Sequence, residues 1–120
     1  MDRTENKTLA TKLVVDLVNE RKYELANTLV SPDFRSHNPR VGPGPAGMEA
    51  FARSFERRFS SLRGDILHLL AEGDRVMVWI HWQGTPTEPA GSAKVDFETV
   101  ELFRFTEQKL VEHWDMQAAQ

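Results

Sequence analysis

The sequence predicts an α+β domain in which helices come first and antiparallel strands after, with the helices packed on one face of a strongly curved sheet. Three observations lead to this class. Apolar residues recur at helical spacing through the first half of the chain, β-rich apolar and alternating segments fill the second half, and 120 residues suffice for one core with no room for another. A single domain spanning residues 1–120 is therefore expected, with one pocket.

Leu9, Leu13, Val14, Leu17 and Val18 fall on one face at helical spacing while Lys12, Asp16 and Asn19 fall elsewhere, which predicts a first helix burying one stripe. A shorter helix is expected from about Tyr23, with Leu25 and Leu29 four apart. Ser31-Pro32-Asp33 ends it, because proline cannot continue the hydrogen bonding and disfavours a helical residue before it. Phe34 then begins an extended piece. From His37-Asn38-Pro39 to Gly47, three prolines and three glycines favour a loop. A third helix follows, where Met48, Phe51, Ala52, Phe55 and Phe59 recur on one face and Arg53, Glu56 and Arg57 lie outside it.

The large apolar groups of that helix need a surface to cover, and the sheet supplies it. A strand is expected around Asp65 to Ala71, then a turn at Glu72-Gly73-Asp74. The run from Val76 to Trp82 is nearly continuous in β-rich apolar residues and predicts a central strand covered on both faces. Gly84 to Ser92, with two prolines and two glycines, reads as a loop or flap. A long strand from Lys94 to Thr106 and a turn at Glu107-Gln108 lead into a last strand from Lys109 to about Gln117.

Composition removes several classes of function. Lys plus Arg total 15 against 18 Asp plus Glu, a net charge of −3 with a pI near 5.8, which leaves no electrostatic footprint for nucleic acid. The absence of cysteine excludes disulfides, thiolate metal sites and cysteine nucleophiles. The N-terminus has no apolar signal core, and no run approaches the roughly 18 apolar residues of a membrane span. A soluble, unprocessed, cytoplasmic protein without membrane association is expected.

The chemistry-bearing residues gather near the end. Alternation along the last strand points His113, Asp115 and Gln117 to one face and Glu112, Trp114 and Met116 to the other. In the preceding strand Val95, Phe97, Thr99, Glu101, Phe103 and Phe105 share a largely apolar face, so Glu101 needs a histidine or arginine partner; a salt bridge near Arg104 or a dimer contact is the alternative. His37 and Asn38 leave a short strand for the glycine- and proline-rich loop, at the rim of a pocket or in a simple Asn-Pro turn. His81, between Trp79 and Trp82, is a pocket residue or a satisfied core histidine, and His68 carries little functional weight. His113-x-Asp115 is also half of a two-histidine, one-carboxylate metal site, but only His37 or His81 could complete it, and no metal is expected. Trp114, on the outer face, suits a sheet-to-sheet homodimer.

Several segments together resemble the SnoaL-like polyketide cyclases of the nuclear-transport-factor-2-like superfamily, over nearly the whole length. They are the helix pair before Ser31-Pro32-Asp33-Phe34, His37-Asn38-Pro39 with Gly47 and the following helix, Gly73-Asp74-Arg75-Val76, Leu102-Phe103-Arg104, and Leu110-Val111-Glu112-His113-Trp114-Asp115. The last is the most specific. The resemblance implies a cone-shaped, mostly antiparallel sheet with the helices on its concave face, the cystatin-like α+β roll, and commonly a homodimer. It further implies that Asp115 is the general base of an intramolecular aldol ring closure, that His113 shapes the site and that Asn38 is a polar pocket position. Glu101 stands where those cyclases carry a histidine, and Glu107-Gln108 where relatives usually have Asp-Gly.

The expected chemistry is cofactor-independent: Asp115 takes a proton alpha to a carbonyl, and His113 or His37 donates to the developing enolate oxygen. Asn38, Glu101, Phe55, His81, Trp79 and Phe103 are the expected binding residues for a small apolar or aromatic carbonyl compound. Aldol-type cyclisation, isomerisation and dehydration all fit. A homodimer that binds a small molecule without turnover is the alternative, favoured if Phe51, Phe55, Trp79 and Phe103 fill the interior.

Overall fold

The computed structural model describes residues 3–89 and 93–118. The first apolar stripe forms α1 (Arg3–Lys12), which widens into a π-helical segment, Leu13–Asn19. Its last turn closes through Glu20 N–H donating to the Val15 carbonyl at 2.9 Å, and Arg21 leaves the helix at φ 58°. Ala10, Leu13, Val14 and Leu17 are buried, as the periodicity requires. Replacing Leu17 by alanine would cost roughly 2–5 kcal/mol. A short 3₁₀ turn (Tyr23–Leu25) runs into α2 (Ala26–Leu29), burying Tyr23, Ala26 and Leu29.

The extended piece begins at Val30, not at Phe34: β1 is Val30–Ser36 and includes Pro32. Proline is tolerated because β1 is an edge strand that pairs, among the described residues, with β5 alone, and the pairing slips between Val30 and Arg35. The third helix, α3 (Gly44–Arg58), starts within the expected loop, with proline in its first turn where a missing N–H costs nothing. Gly47 has no alternative here, since a Cβ would stand 2.0 Å from the Gly42 carbonyl oxygen. Phe59, expected as the last apolar position of the helix, instead opens a strand.

Four antiparallel strands follow: β2 (Phe59–Glu72), β3 (Arg75–Pro86), β4 (Val95–Thr106) and β5 (Lys109–Gln117). β2 is twice the expected strand, and its bulge between Ile66 and His68 turns it about the helices. The sheet order is β1-β5-β4-β3-β2, with β1 parallel to β5, so the sheet is mixed and mostly antiparallel. The β4–β5 turn places Glu107 and Gln108 at φ 52° and 65°, the double positive φ of a tight hairpin.

β3 corrects the expectation of a strand covered on both faces. Val76, Val78, Ile80 and Trp82 are buried against the helices, while Met77, Trp79 and His81 are only half-buried on the other side. The core lies between the inner face of the curved sheet and the helices, with Phe34, Phe105, Ile80 and Leu110 among its fully buried side chains. Asn19 clips the first helix to β2: its amide accepts from Gly64 N–H at 2.9 Å and donates to the Gly64 carbonyl at 2.7 Å. Among the described residues, no helix is long and apolar enough to cross a membrane.

Candidate functional site

The β4–β5 register sets Glu101 opposite Asp115 and Phe103 opposite His113, and alternation turns all four side chains to the inner face. His113 is 3% exposed. Its Nε2 lies 2.7 Å from Glu101 Oε1 and its Nδ1 2.8 Å from Ser36 Oγ. An ionised carboxylate only accepts, so Nε2–H donates to Glu101. The ring stacks on Phe103, with centroids 5.3 Å apart. Glu101 thus finds the histidine partner its apolar surroundings demand, and Arg104 does not supply it. Arg104 turns outward and donates to Glu112 at 3.0 Å.

Asp115 stands beside this pair, with Oδ2 3.7 Å from His113 Nε2. Asn38 Nδ2 donates to the same oxygen at 2.9 Å. The orientation of that amide follows from its other end, where Asn38 Oδ1 accepts from Arg40 N–H at 2.9 Å. Ser36 Oγ accepts from Asn38 N–H at 3.0 Å, so one hydroxyl ties the loop to His113. Local chain chemistry therefore aims Asn38 before any ligand arrives.

Asn38, Glu101, Phe103, His113 and Asp115 line a cavity of about 310 Å³ between the helices and the sheet. Its walls include Leu17, Met48, Phe55, Trp82, Phe97 and Phe103, and Trp82 Nε1 is satisfied by Thr99 Oγ1 at 2.8 Å. Phe51, Phe55 and Phe103 border the space and do not fill it.

Three expected site residues lie elsewhere. His37 follows Ser36, and alternation sends it to the outer face: its side chain is 52% exposed, Nε2 is 2.7 Å from Glu112 Oε2, and the ring stacks on Trp114 at 4.8 Å. The His37 hydrogen bond, followed by that of Arg104, holds the Glu112 carboxyl below its usual value. His81 and Trp79 occupy the outer face of β3. His81 Nε2 is 2.6 Å from Asp96 Oδ1, and that hydrogen bond raises the imidazole above its usual value. Trp79 Nε1 donates to Glu98 at 2.7 Å and packs edge-on to His68. None of the three, His37, His81 or Trp79, lines the cavity.

The sequence reading passed over Ser36, Trp82, Thr99, Arg40 and Arg58. Period-two alternation held the signal for Ser36, two residues from buried Phe34, and for Trp82, two from Ile80. The arginines lie on a loop and a helix end, where no such periodicity applies.

The positions of His37 and His81 also remove the two-histidine metal arrangement. What stands instead is one imidazole with two carboxylates: Glu101, His113 and Asp115 offer ligand atoms within 4.8 Å of one another. A cation there would have to displace the Nε2 proton that Glu101 accepts.

A protein-family model described as SnoaL-like polyketide cyclase matches residues 8–118. No match is found among curated proteins. Among solved structures, TsrD from Streptomyces laurentii shares 21% identity with a TM-score of 0.83, covering 98% of this chain and 90% of that one. A candidate polyketide cyclase from Bacillus cereus ATCC 10987 shares 24% identity with a TM-score of 0.81, over 95% of this chain and 74% of that one. AclR, a candidate hydroxylase from Streptomyces galilaeus, shares 27% identity with a TM-score of 0.79, over 98% and 77%. With the family model spanning nearly its whole length and these folds superposing on it, the chain belongs to the SnoaL-like polyketide cyclase family.

Proposed function

We propose that the protein is a cofactor-independent acid–base enzyme acting on a small cyclic or polyketide-like carbonyl compound, with Asp115 as general base. One observation carries this reading: a carboxylate on the wall of an apolar cavity, held at one oxygen by Asn38 and reached by no other hydrogen bond among the described residues. A base fixed at one oxygen keeps the other for a substrate proton.

Asp115 removes the proton alpha to the carbonyl, and the electron pair passes to the carbonyl oxygen as an enolate. His113, with its Nε2 proton shared with Glu101, is the donor for the oxygen that becomes negative. The proton on Asp115 returns to product, so the cycle needs no external reagent. Ring closure by aldol addition, isomerisation and dehydration share these steps and differ in where the enolate carbon goes. Ser36 and Glu101 are positioning residues that act through His113.

Non-catalytic ligand binding is the second reading, favoured by Glu101 occupying the position where the resemblance expects a histidine. The outer sheet face, with Leu70 60% and Met116 68% exposed, supports a homodimer in either case. Crystals soaked with a panel of small aromatic and cyclic ketones, with the Asp115→Asn variant alongside, test the assignment. A ketone bound with its alpha carbon about 3 Å from Asp115 is the expected result. Binding with that carbon remote from every carboxylate would leave the binding reading standing.

A further inference from the structure

Of the arginines whose side chains are described, Arg35, Arg40, Arg57 and Arg58 have no carboxylate among the described residues within salt-bridge distance, whereas Arg21, Arg53, Arg63 and Arg75 each have one and Arg104 has two. Three of the four unpaired residues gather at one place. Arg40 and Arg58 line the cavity, and with Arg57 they also line an open hollow adjoining it, beside Gly42, Gly47 and Ser54.

Their setting is ordered. Arg40 follows Asn38 by two residues, and its backbone N–H is bound to the Asn38 side chain, so the turn that aims Asn38 at Asp115 also sets the origin of the Arg40 side chain. The Arg58 guanidinium lies over the rings of Phe55 and Phe59, at 4.8 and 5.9 Å from their centroids, and donates to Ser54 Oγ at 3.2 Å. Burial and then the charges of Arg40 and Arg57 lower its pKa, the consequence of like charges gathered without a counter-ion. Among the described residues no carboxylate pairs with this cluster, and the same cavity also carries Glu101 and Asp115.

We propose that the cavity's rim binds a carboxylate, so that the ligand is an apolar ring compound bearing a carboxylate held by Arg40 and Arg58, with its uncharged carbonyl end directed to Asp115. This deepens the functional reading above and rests on the same cavity being the substrate site. The planar guanidinium fork matches a carboxylate, and an acid entering the other way round would meet two carboxylates. The polarity of the pocket therefore fixes the direction of the ligand. Exposed arginine–carboxylate pairs each contribute modestly, so two acting together amount to about a tenfold preference.

The test is calorimetric titration of the intact protein with 2-naphthoic acid and with methyl 2-naphthoate, the same ring with and without the charge. The acid is expected to bind about tenfold more tightly at low salt, with the advantage shrinking as ionic strength rises. In the Arg40→Gln/Arg58→Gln double variant the acid should fall to the affinity of the ester. An unchanged circular dichroism spectrum verifies that the double variant is folded, and the comparison of acid with ester is made within each protein. Equal binding of acid and ester by the wild type, or a preference unchanged in the double variant, would overturn the proposal. Because the titration reads binding alone, its failure leaves the role of Asp115 untouched, and a failure of that role leaves the titration untouched.

Discussion

Asn38 and Asp115, 77 positions apart, meet at 2.9 Å because the parallel pairing of β1 with β5, which sets Ser36 beside His113, carries on past the end of β1 through His37 N–H donating to the His113 carbonyl. The contact lies at one edge of the sheet, between the adjacent strands β1 and β5, where the inner face opens into the cavity. Asn38→Ala is expected to leave the base in place but unaimed, lowering any proton-transfer rate about tenfold with little change in stability. Steady-state kinetics with a parallel urea melt check both halves.

Glu101 is the acceptor for the buried Nε2–H of His113. Glu101→Ala strands that donor, at a cost of about 1–3 kcal/mol. Glu101→Gln keeps an acceptor oxygen and should cost less. If both variants melt at the same urea concentration, the hydrogen bond contributes nothing to the fold.

A methyl group at position 47 would meet the Gly42 carbonyl at 2.0 Å, and backbone cannot swing away as a side-chain tip can. Gly47→Ala should destabilise by about 1–3 kcal/mol and displace the turn that carries Asn38 and Arg40. A crystal structure of the variant with that turn unmoved would contradict this.

Asn6 is fully buried, with Oδ1 lacking a partner among the described residues and Nδ2 only 3.4 Å from the Gly73 carbonyl. An apolar side chain of similar size removes an uncompensated desolvation cost. Asn6→Leu is expected to raise stability by about 1 kcal/mol, measured by chemical denaturation.

Two outer-face pairs give opposite pH dependences. Asp96 raises the His81 imidazole above 6.5, so its contribution is complete below that pH and fades as pH rises through the higher folded-state value. His37 and Arg104 lower the Glu112 carboxyl from 4.5, so its contribution is present above that pH and is lost as pH falls through the lower folded-state value. Melting curves across pH, with His81→Gln and Glu112→Gln, should each flatten only their own limb.

The helices, the last strand and the facing of His113 and Asp115 were legible because each depends on local period: the apolar stripe from Leu9 to Val18, and alternation along Lys109–Gln117. The partner of Glu101 was legible as a need, since a carboxylate among phenylalanines requires one, although the choice of His113 over Arg104 is a matter of register. His37, His81 and Trp79 were misplaced for a common reason. His81 and Trp79 belong to the outward half of an alternating strand, and His37 follows directly on the end of one; nothing local to Val76–Trp82 reveals that the second face of an apolar strand lies open. Arg40 and Arg58 acquire meaning only when a loop and a helix end are brought to the same rim.

The most direct test of the central claim is deuterium exchange at the alpha carbon of 2-tetralone in D₂O, followed by proton NMR, with wild-type protein and Asp115→Asn at equal concentration. A general base contributes on the order of 10²- to 10⁴-fold, so the wild type should exchange the alpha protons at least about a hundredfold faster than the variant, with both equally folded. Equal exchange rates in the two proteins would contradict the assignment of Asp115 as the base.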